Sequence, residues 1–418
     1  MNDPRKRGTI AILLGLGILV NYFDRVNLSI AHDALQQTFG ISDIMFGYLL
    51  GAYSWTYAFM QLPSGSLLDR FGVRRVMLVS IVLWAFASGL AAIAPTIAFL
   101  FAARFLLGIG EAPTFPACAK AVGLWFPQDK RGVPTAMFDA AAKLAIGLGT
   151  PILGLILLHF GMRANFAATA VLSALYALIF LLIYRDPVSP PEIDATMRIE
   201  KSFSSLNIPA LLREQKIWAV ALGSGAYNYC FYLLLTWMPF YLQKGLKMTG
   251  RQSVLWSAVP WITAALVGFF VGGKLTDTLV RRGYDASKVR KSILVGGTSM
   301  GLFVLAPVFF HRTNLVLICL SLSLSGLAAA SPVLWTLPSL LVPPESTGRV
   351  GAIMNQSNQI AAIVAPIATG YLTTWTHSFF AAFLVAGVIL SIGVSSYIFL
   401  LGRVEPIPLP SLQRGLAM

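Results

Sequence analysis

Charge is scarce in this sequence. Of its 418 residues only 11% are Asp, Glu, Lys or Arg, against about a quarter in soluble domains, which is too few to clothe a water-exposed surface. Cysteine is nearly absent: Cys118, Cys230 and Cys319 lie inside apolar stretches, an odd number with neither disulfide framework nor metal spacing. The four histidines, His32, His159, His311 and His377, fall at helix ends on one side, show no metal spacing and read as interfacial residues. No Gly-Lys-Ser/Thr phosphate loop occurs, so ATP has no engine here. Neither a nucleophile with an adjacent base nor a metal triad is present, which argues against an intramembrane enzyme. The first apolar stretch follows Arg5, Lys6 and Arg7 as a signal peptide would, but it carries Asp24 and Arg25 and lacks a small-residue cleavage site, so it is expected to be retained as the first helix.

Apolar residues abound instead, at 56% of the chain. They fall into twelve blocks, at about residues 10–31, 44–66, 76–94, 97–119, 133–158, 163–184, 217–241, 252–276, 291–310, 313–338, 349–374 and 378–401. Each can cross the hydrocarbon core as a helix, which takes roughly 20 residues. A closed barrel would need short strands of alternating polarity, and these blocks are apolar on every side. The expected fold is an all-α integral membrane protein of twelve transmembrane helices. The net charge of +14 reflects topology and not a nucleic-acid partner: Lys and Arg crowd the N-terminus, the stretches after blocks 2, 4 and 8, and the middle of the chain. By the positive-inside rule both termini then face the cytoplasm, in a multi-pass protein of the cell inner (plasma) membrane.

One long polar stretch, residues 185–216, divides the blocks six and six. The expected organisation is an N-terminal six-helix bundle (1–184), a cytoplasmic linker (185–216) and a C-terminal six-helix bundle with a short tail (217–418). The halves echo each other. Gly65-Ser-Leu-Leu-Asp69-Arg70-Phe-Gly72-Val-Arg74-Arg75 after block 2 recurs as Gly273-Lys-Leu-Thr-Asp277 with Arg281-Arg282-Gly283 after block 8, and Pro127 to Gly132 after block 4 echoes Pro344 to Arg349 after block 10. Parallel six-helix repeats around a midplane site are a transporter architecture. In the first loop the glycines permit a tight turn, and Asp69 is placed to pair with a basic cluster in one state and release it in another.

Charges within the membrane are costly, at about 3 kcal/mol each on insertion scales, and call for a role. Asp24 and Arg25 are adjacent and so diverge by about 100° around their helix; Arg25 can face a cavity while Asp24 engages a neighbouring helix. Arg104 and Glu111 are nearly two turns apart on one face, roughly 10 Å along the axis, and can serve one cavity without a direct bridge. Arginine grips a carboxylate with two parallel hydrogen bonds, and a glutamate in apolar surroundings is a candidate proton carrier. This equipment suits proton-coupled uptake of an anion.

The loop Gly-x-x-x-Asp-Arg-x-Gly-x-Arg-Arg resembles the signature of the major facilitator superfamily. Asn21-Tyr-x-Asp-Arg-x-Asn-Leu-Ser29, Arg104-x-x-x-Gly-x-x-Glu-Ala-Pro113 and Tyr232-Leu-Leu-Leu-Thr-Trp-Met-Pro239 resemble its anion:cation symporter branch of sugar-acid and organic-acid carriers. The resemblance implies that Arg25 binds the substrate carboxylate, that Asp24 and Glu111 are protonatable, and that Arg104 couples Glu111 to the site. It also places Tyr22, Tyr57, Tyr232 and Asn358 along the cavity, although each tyrosine has an ordinary interfacial role as its alternative. Gly65, Asp69, Arg70, Gly72, Arg74 and Asp277 become parts of a conformational switch. Trp335 and the serines of block 10 are further cavity candidates.

Block 5 departs from that pattern, with Asp139 and Lys143 where sugar-acid carriers have amides. At i,i+4 they can pair with each other; alternatively Lys143 supplies a second cationic contact for a dicarboxylate. The expectation is a proton-gradient-driven symporter of a small organic anion, without cofactor and working as a monomer. The rivals are an exporter of drugs or metabolites by proton antiport and a membrane nutrient sensor that does not transport.

Overall fold

The computed structural model describes residues 4–126, 132–187, 208–310 and 312–407. Most of the 185–216 stretch, His311, the Pro127 to Arg131 part of the loop echo and the C-terminal tail after residue 407 lie outside the described residues. Within them the chain is almost entirely helical. The spans are α1 (Pro4–Ser29), α2 and α3 (the two arms of Asp43–Ala92, which bends at Gly72), α4 (Ile97–Trp125), and α5 and α6 (the arms of Gly132–Ile183, bent at Gly161). There follow α7 (Gln215–Phe240), α8 (Gly250–Arg281), α9 (Ala286–Phe309), α10 (Thr313–Leu341), α11 (Pro344–Thr376) and α12 (Phe380–Leu400). A short helix, His32–Phe39, links α1 to α2. The twelve expected spans are present.

Eight stretches among the described residues pass a strict test of length and apolarity, one of them, Met137–Ile183, covering both α5 and α6. Much of α2, and all of α7 and α11, miss it. Tyr227, Asn228, Tyr229, Tyr232 and Thr236 crowd α7, and Asn355, Gln356, Ser357, Asn358 and Gln359 crowd α11, so these helices are polar where the others are greasy. Polar side chains in a spanning helix belong in the protein interior.

The chain divides into two compact units: Met1–Pro191 with Leu233–Ile262 and Ile363–Ala381, and Glu192–Tyr232 with Thr263–Ala362 and Ala382–Met418. The first unit thus takes in the ends of α7, α8 and α11 that lie on the membrane face opposite the termini. There Gly47 of α2 lies against the backbone of α11 at Pro366 and Ile367 and Gly51 against the Ile367 side chain and the Ile363 carbonyl, Trp237 of α7 donates its indole N–H to the Pro366 carbonyl at 3.2 Å, and Val254 of α8 fills the space beside Gly154 of α5. Small residues let these backbones approach closely, the usual device between membrane helices. In the same unit Gly108 of α4 sits against the Tyr53 carbonyl and Thr56.

The second unit uses the same device. Gly297 of α9 and Gly326 of α10 meet face to face, and Tyr397 of α12 lies over Gly223 of α7. The turn after α8 passes through Gly283 at φ +88°, as the bend between α2 and α3 passes through Gly72 at φ +80°, so the loop echo in the sequence is matched by a left-handed glycine in both copies.

Candidate functional site

Four charged residues of α1 and α4 converge inside the first unit. Asp24, Arg25, Arg104 and Glu111 are all buried, the most exposed of them, Arg25, at 6%. Arg25 Nε donates to Glu111 Oε2 at 3.2 Å, and its Nη2 donates to Asn21 Oδ1 at 3.0 Å. Around the guanidinium stand three phenol rings, Tyr22, Tyr53 and Tyr57, with centroids 4.4, 4.9 and 5.2 Å from Cζ. Aromatic faces attract the delocalised cation and keep water from it, while the phenol hydroxyls supply hydrogen-bonding groups. Glu111 Oε1 has the Tyr53 side chain as its neighbour and no fully formed hydrogen bond.

Asp24 looks the other way, as the 100° divergence requires. It accepts hydrogen bonds from Ser88 Oγ of α3 and from Ser173 Oγ of α6, the latter at 3.1 Å. Two hydroxyl donors on a buried carboxylate make it a tie between α1, α3 and α6. Arg104 donates from Nη1 to the Asp24 carbonyl at 3.1 Å and lies over the Tyr53 ring. The direct partner of Glu111 is therefore Arg25; Arg104 reaches the backbone of α1 and touches Glu111 only through the shared field of the cluster.

Lys143, buried, donates to Asp139 Oδ2 at 2.7 Å, so the i,i+4 pair anticipated from spacing is formed. Tyr232 and Asn358 belong to the second unit. Both are buried, and Asn358 Oδ1 has no hydrogen-bond donor among the described residues. Trp335, also in the second unit, is 53% exposed.

At the opposite ends of these helices, Asp69 pairs with Lys120 of α4 at 2.6 Å, and Lys120 also donates to the Leu68 carbonyl. In this arrangement Arg74 turns toward α6, its backbone N–H meeting Asp186 at 3.1 Å and its guanidinium the Leu181 carbonyl, while Asp69 keeps Lys120. The glycines differ in role as well. Gly72 makes the left-handed turn, whereas Gly65 sits in regular helix with open space beside it. Arg70 is exposed above the Phe71 ring, and Asp277 is exposed near the end of α8.

Sequence reasoning missed Tyr53, Lys120 and Asp186. Tyr53 and Tyr57 are four apart and so share a helix face, a signal available in advance. His32 is a correction too: it is 2% exposed and held by two carboxylates, while His159 and His377 are exposed.

Residues 14–366 match the Major Facilitator Superfamily profile. The chain belongs to this superfamily. It is 35% identical to an uncharacterized transporter of Bacillus subtilis, with 96% of each chain covered. It is 30% identical to the "Probable L-galactonate transporter" of Escherichia coli strain K12, over 95% of this chain and 89% of the relative. It is 29% identical to a "Probable galactarate/D-glucarate transporter" of Bacillus subtilis, over 96% and 93%. In fold it is similar to the crystal structure of a bacterial homologue of the human lysosomal transporter Spinster in an inward-facing, unoccupied conformation, at TM-score 0.73 and 18% identity, covering all of this chain and 95% of the other. The protein is a multi-pass membrane transporter of this superfamily and not an enzyme.

Proposed function

We propose that this facilitator imports a small organic anion of the sugar-acid class together with protons. The observation that carries the reading is the buried Arg25–Glu111 pair inside a ring of three tyrosines. A guanidinium has five donors, and a substrate carboxylate entering this ring competes with Glu111 for them. A carboxylate that loses its counter-ion in dry surroundings is expensive, and taking up a proton removes the charge. Anion and proton then arrive together.

Charge balance supports the coupling. The cations Arg25, Arg104 and Lys143 stand in this unit with the carboxylates Asp24, Glu111 and Asp139, so a monoanion bound without a proton leaves the interior one charge out of balance. Two buried arginines suit an anionic cargo and disfavour the drug-exporter reading. Because Lys143 already holds Asp139, no second acidic group on the cargo is called for, and we favour a monocarboxylate such as a galactonate over a dicarboxylate. Relatives named for galactonate and for galactarate/D-glucarate transport are consistent with the class.

The proton gradient is the energy source and no cofactor takes part; the monomer is the working unit. The Lys and Arg distribution supports an orientation in the plasma membrane with both termini on the cytoplasmic side. Uptake of labelled sugar acids into proteoliposomes under an imposed inward proton gradient tests the reading. Accumulation of a monocarboxylate, abolished by a protonophore, is expected. Binding without counterflow would identify a sensor, and proton-driven export of cations would identify the rival carrier.

A further inference from the structure

On the face opposite the termini, the linker after α1 carries an imidazole in an unusual position. His32 is buried, and each of its ring nitrogens faces a carboxylate: Nδ1 stands 3.2 Å from Asp33 Oδ1 and Nε2 stands 2.9 Å from Asp43 Oδ1. A neutral imidazole has one N–H and one lone pair. One of these two contacts would then set lone pair against carboxylate, and only the imidazolium satisfies both.

The surrounding groups come from four elements. Asp33 lies on the short helix, where it also accepts from Gln243 Nε2 at 2.6 Å and meets Lys244 Nζ at 3.7 Å, both from the π-helical turn that ends α7. Asp43 begins α2, and its backbone carbonyl lies against Gly370 of α11. The Phe240 ring of α7 covers the imidazole at 3.6 Å between centroids, Phe46 of α2 meets it edge-on at 4.6 Å, and Trp237 stands at 6.1 Å. Phe379, after α11, closes over Trp237 and Phe240. Two carboxylates face His32 and Lys244 here, and the cluster is neutral only when the imidazole is charged.

We propose that protonated His32 is a latch that holds this face of the transporter closed, so that outside pH biases the alternating-access cycle independently of the proton carried with substrate. The closed packing brings Phe240, Trp237, Gln243 and Lys244 of the second repeat, with Gly370 and Phe379 of the same repeat, onto His32, Asp33, Asp43 and Phe46 of the first. Opening this face withdraws them, hydrates the carboxylates and removes the need for the extra proton. The closed arrangement therefore binds that proton more tightly than the open one.

Burial opposes the charge on His32, but the hydrogen bonds to Asp33 and Asp43 outweigh it, and its affinity for the proton is raised above the ordinary histidine value. Asp33 is correspondingly held below the usual carboxylate range, first by His32 and then, against burial, by Lys244. The sign follows. The contribution to closure is fully present below about pH 6.5, the ordinary histidine value, and is lost as pH rises through the higher value of the latched state.

The latch rests on alternating access and not on the identity of the cargo, so it is tested without substrate. Spin labels at Gln37→Cys and Arg251→Cys, both exposed positions in a chain whose native cysteines are buried, report the separation of the two repeats at this face by double electron–electron resonance in nanodiscs. The short-distance population should dominate at pH 5.5 and fall, by up to about tenfold in its ratio to the open one for each pH unit of preference, with a midpoint above about 6.5. His32→Gln should flatten that dependence, and Asp33→Asn should move the midpoint down. A wild type with no pH dependence, or a dependence that survives His32→Gln, overturns the latch. Should His32→Gln not fold, an unmoved midpoint in Asp33→Asn does the same.

Discussion

Arg25 and Glu111 are 86 residues apart in sequence and 3.2 Å apart in space, joined between α1 and α4 in a pocket of three tyrosines. Each is the other's buried counter-ion, and whatever occupies the pocket must come between them or rearrange them. In the proposed mechanism that relationship links binding to protonation, and it sets the predictions that concern transport.

Arg25→Lys keeps the charge and loses the planar fork. A point ammonium cannot hold a carboxylate with two parallel bonds while also reaching Asn21. Affinity for the cargo should fall at least about tenfold, which is roughly 1.4 kcal/mol, in a scintillation-proximity or calorimetric titration. Unchanged affinity would remove Arg25 from the substrate's contacts.

Asp69→Asn breaks the contact with Lys120 far from the tyrosine pocket. The pair is partly exposed, and such pairs contribute about 0–1 kcal/mol to stability. Its loss should therefore leave thermal stability and substrate affinity nearly unchanged while slowing turnover several-fold, if, as the switch reading expects, Asp69 is held in one conformation and released in the other. Equal losses of affinity and rate would contradict that division.

Gly223 and Gly225 lie two residues apart on α7 and should behave differently. A methyl at Gly223 collides with the buried Tyr397 ring, whereas one at Gly225 meets Ser357 at an ordinary 3.5 Å. Gly223→Ala should destabilise by about 1–3 kcal/mol in a fluorescence-monitored thermal melt, and Gly225→Ala by much less. Equal melting points would show that Tyr397 moves aside freely.

The spans, the repeat and the divergence of Asp24 from Arg25 were all legible in the sequence, because they follow from hydropathy, spacing and the helical period. Tyr53 was legible from its spacing to Tyr57 and was passed over. The Arg25–Glu111 bond was not, since helical spacing relates residues of one helix and says nothing about which of two arginines a glutamate on another helix will meet; Arg104, on the same face as Glu111, was the nearer guess. His32 illustrates the same limit. Its place at a helix end suits an interfacial residue, and it is the packing of α2 and of the α7 end around it that buries it.

The coupling itself is tested most directly by Glu111→Gln in liposomes. The amide is uncharged, like the protonated acid, so the variant should bind the sugar acid and exchange labelled for unlabelled substrate at a rate near that of the wild type, yet under an imposed inward proton gradient it should only equilibrate substrate where the wild type concentrates it. An uphill gradient built by Glu111→Gln as well as by the wild type would contradict the assignment of the proton to Glu111.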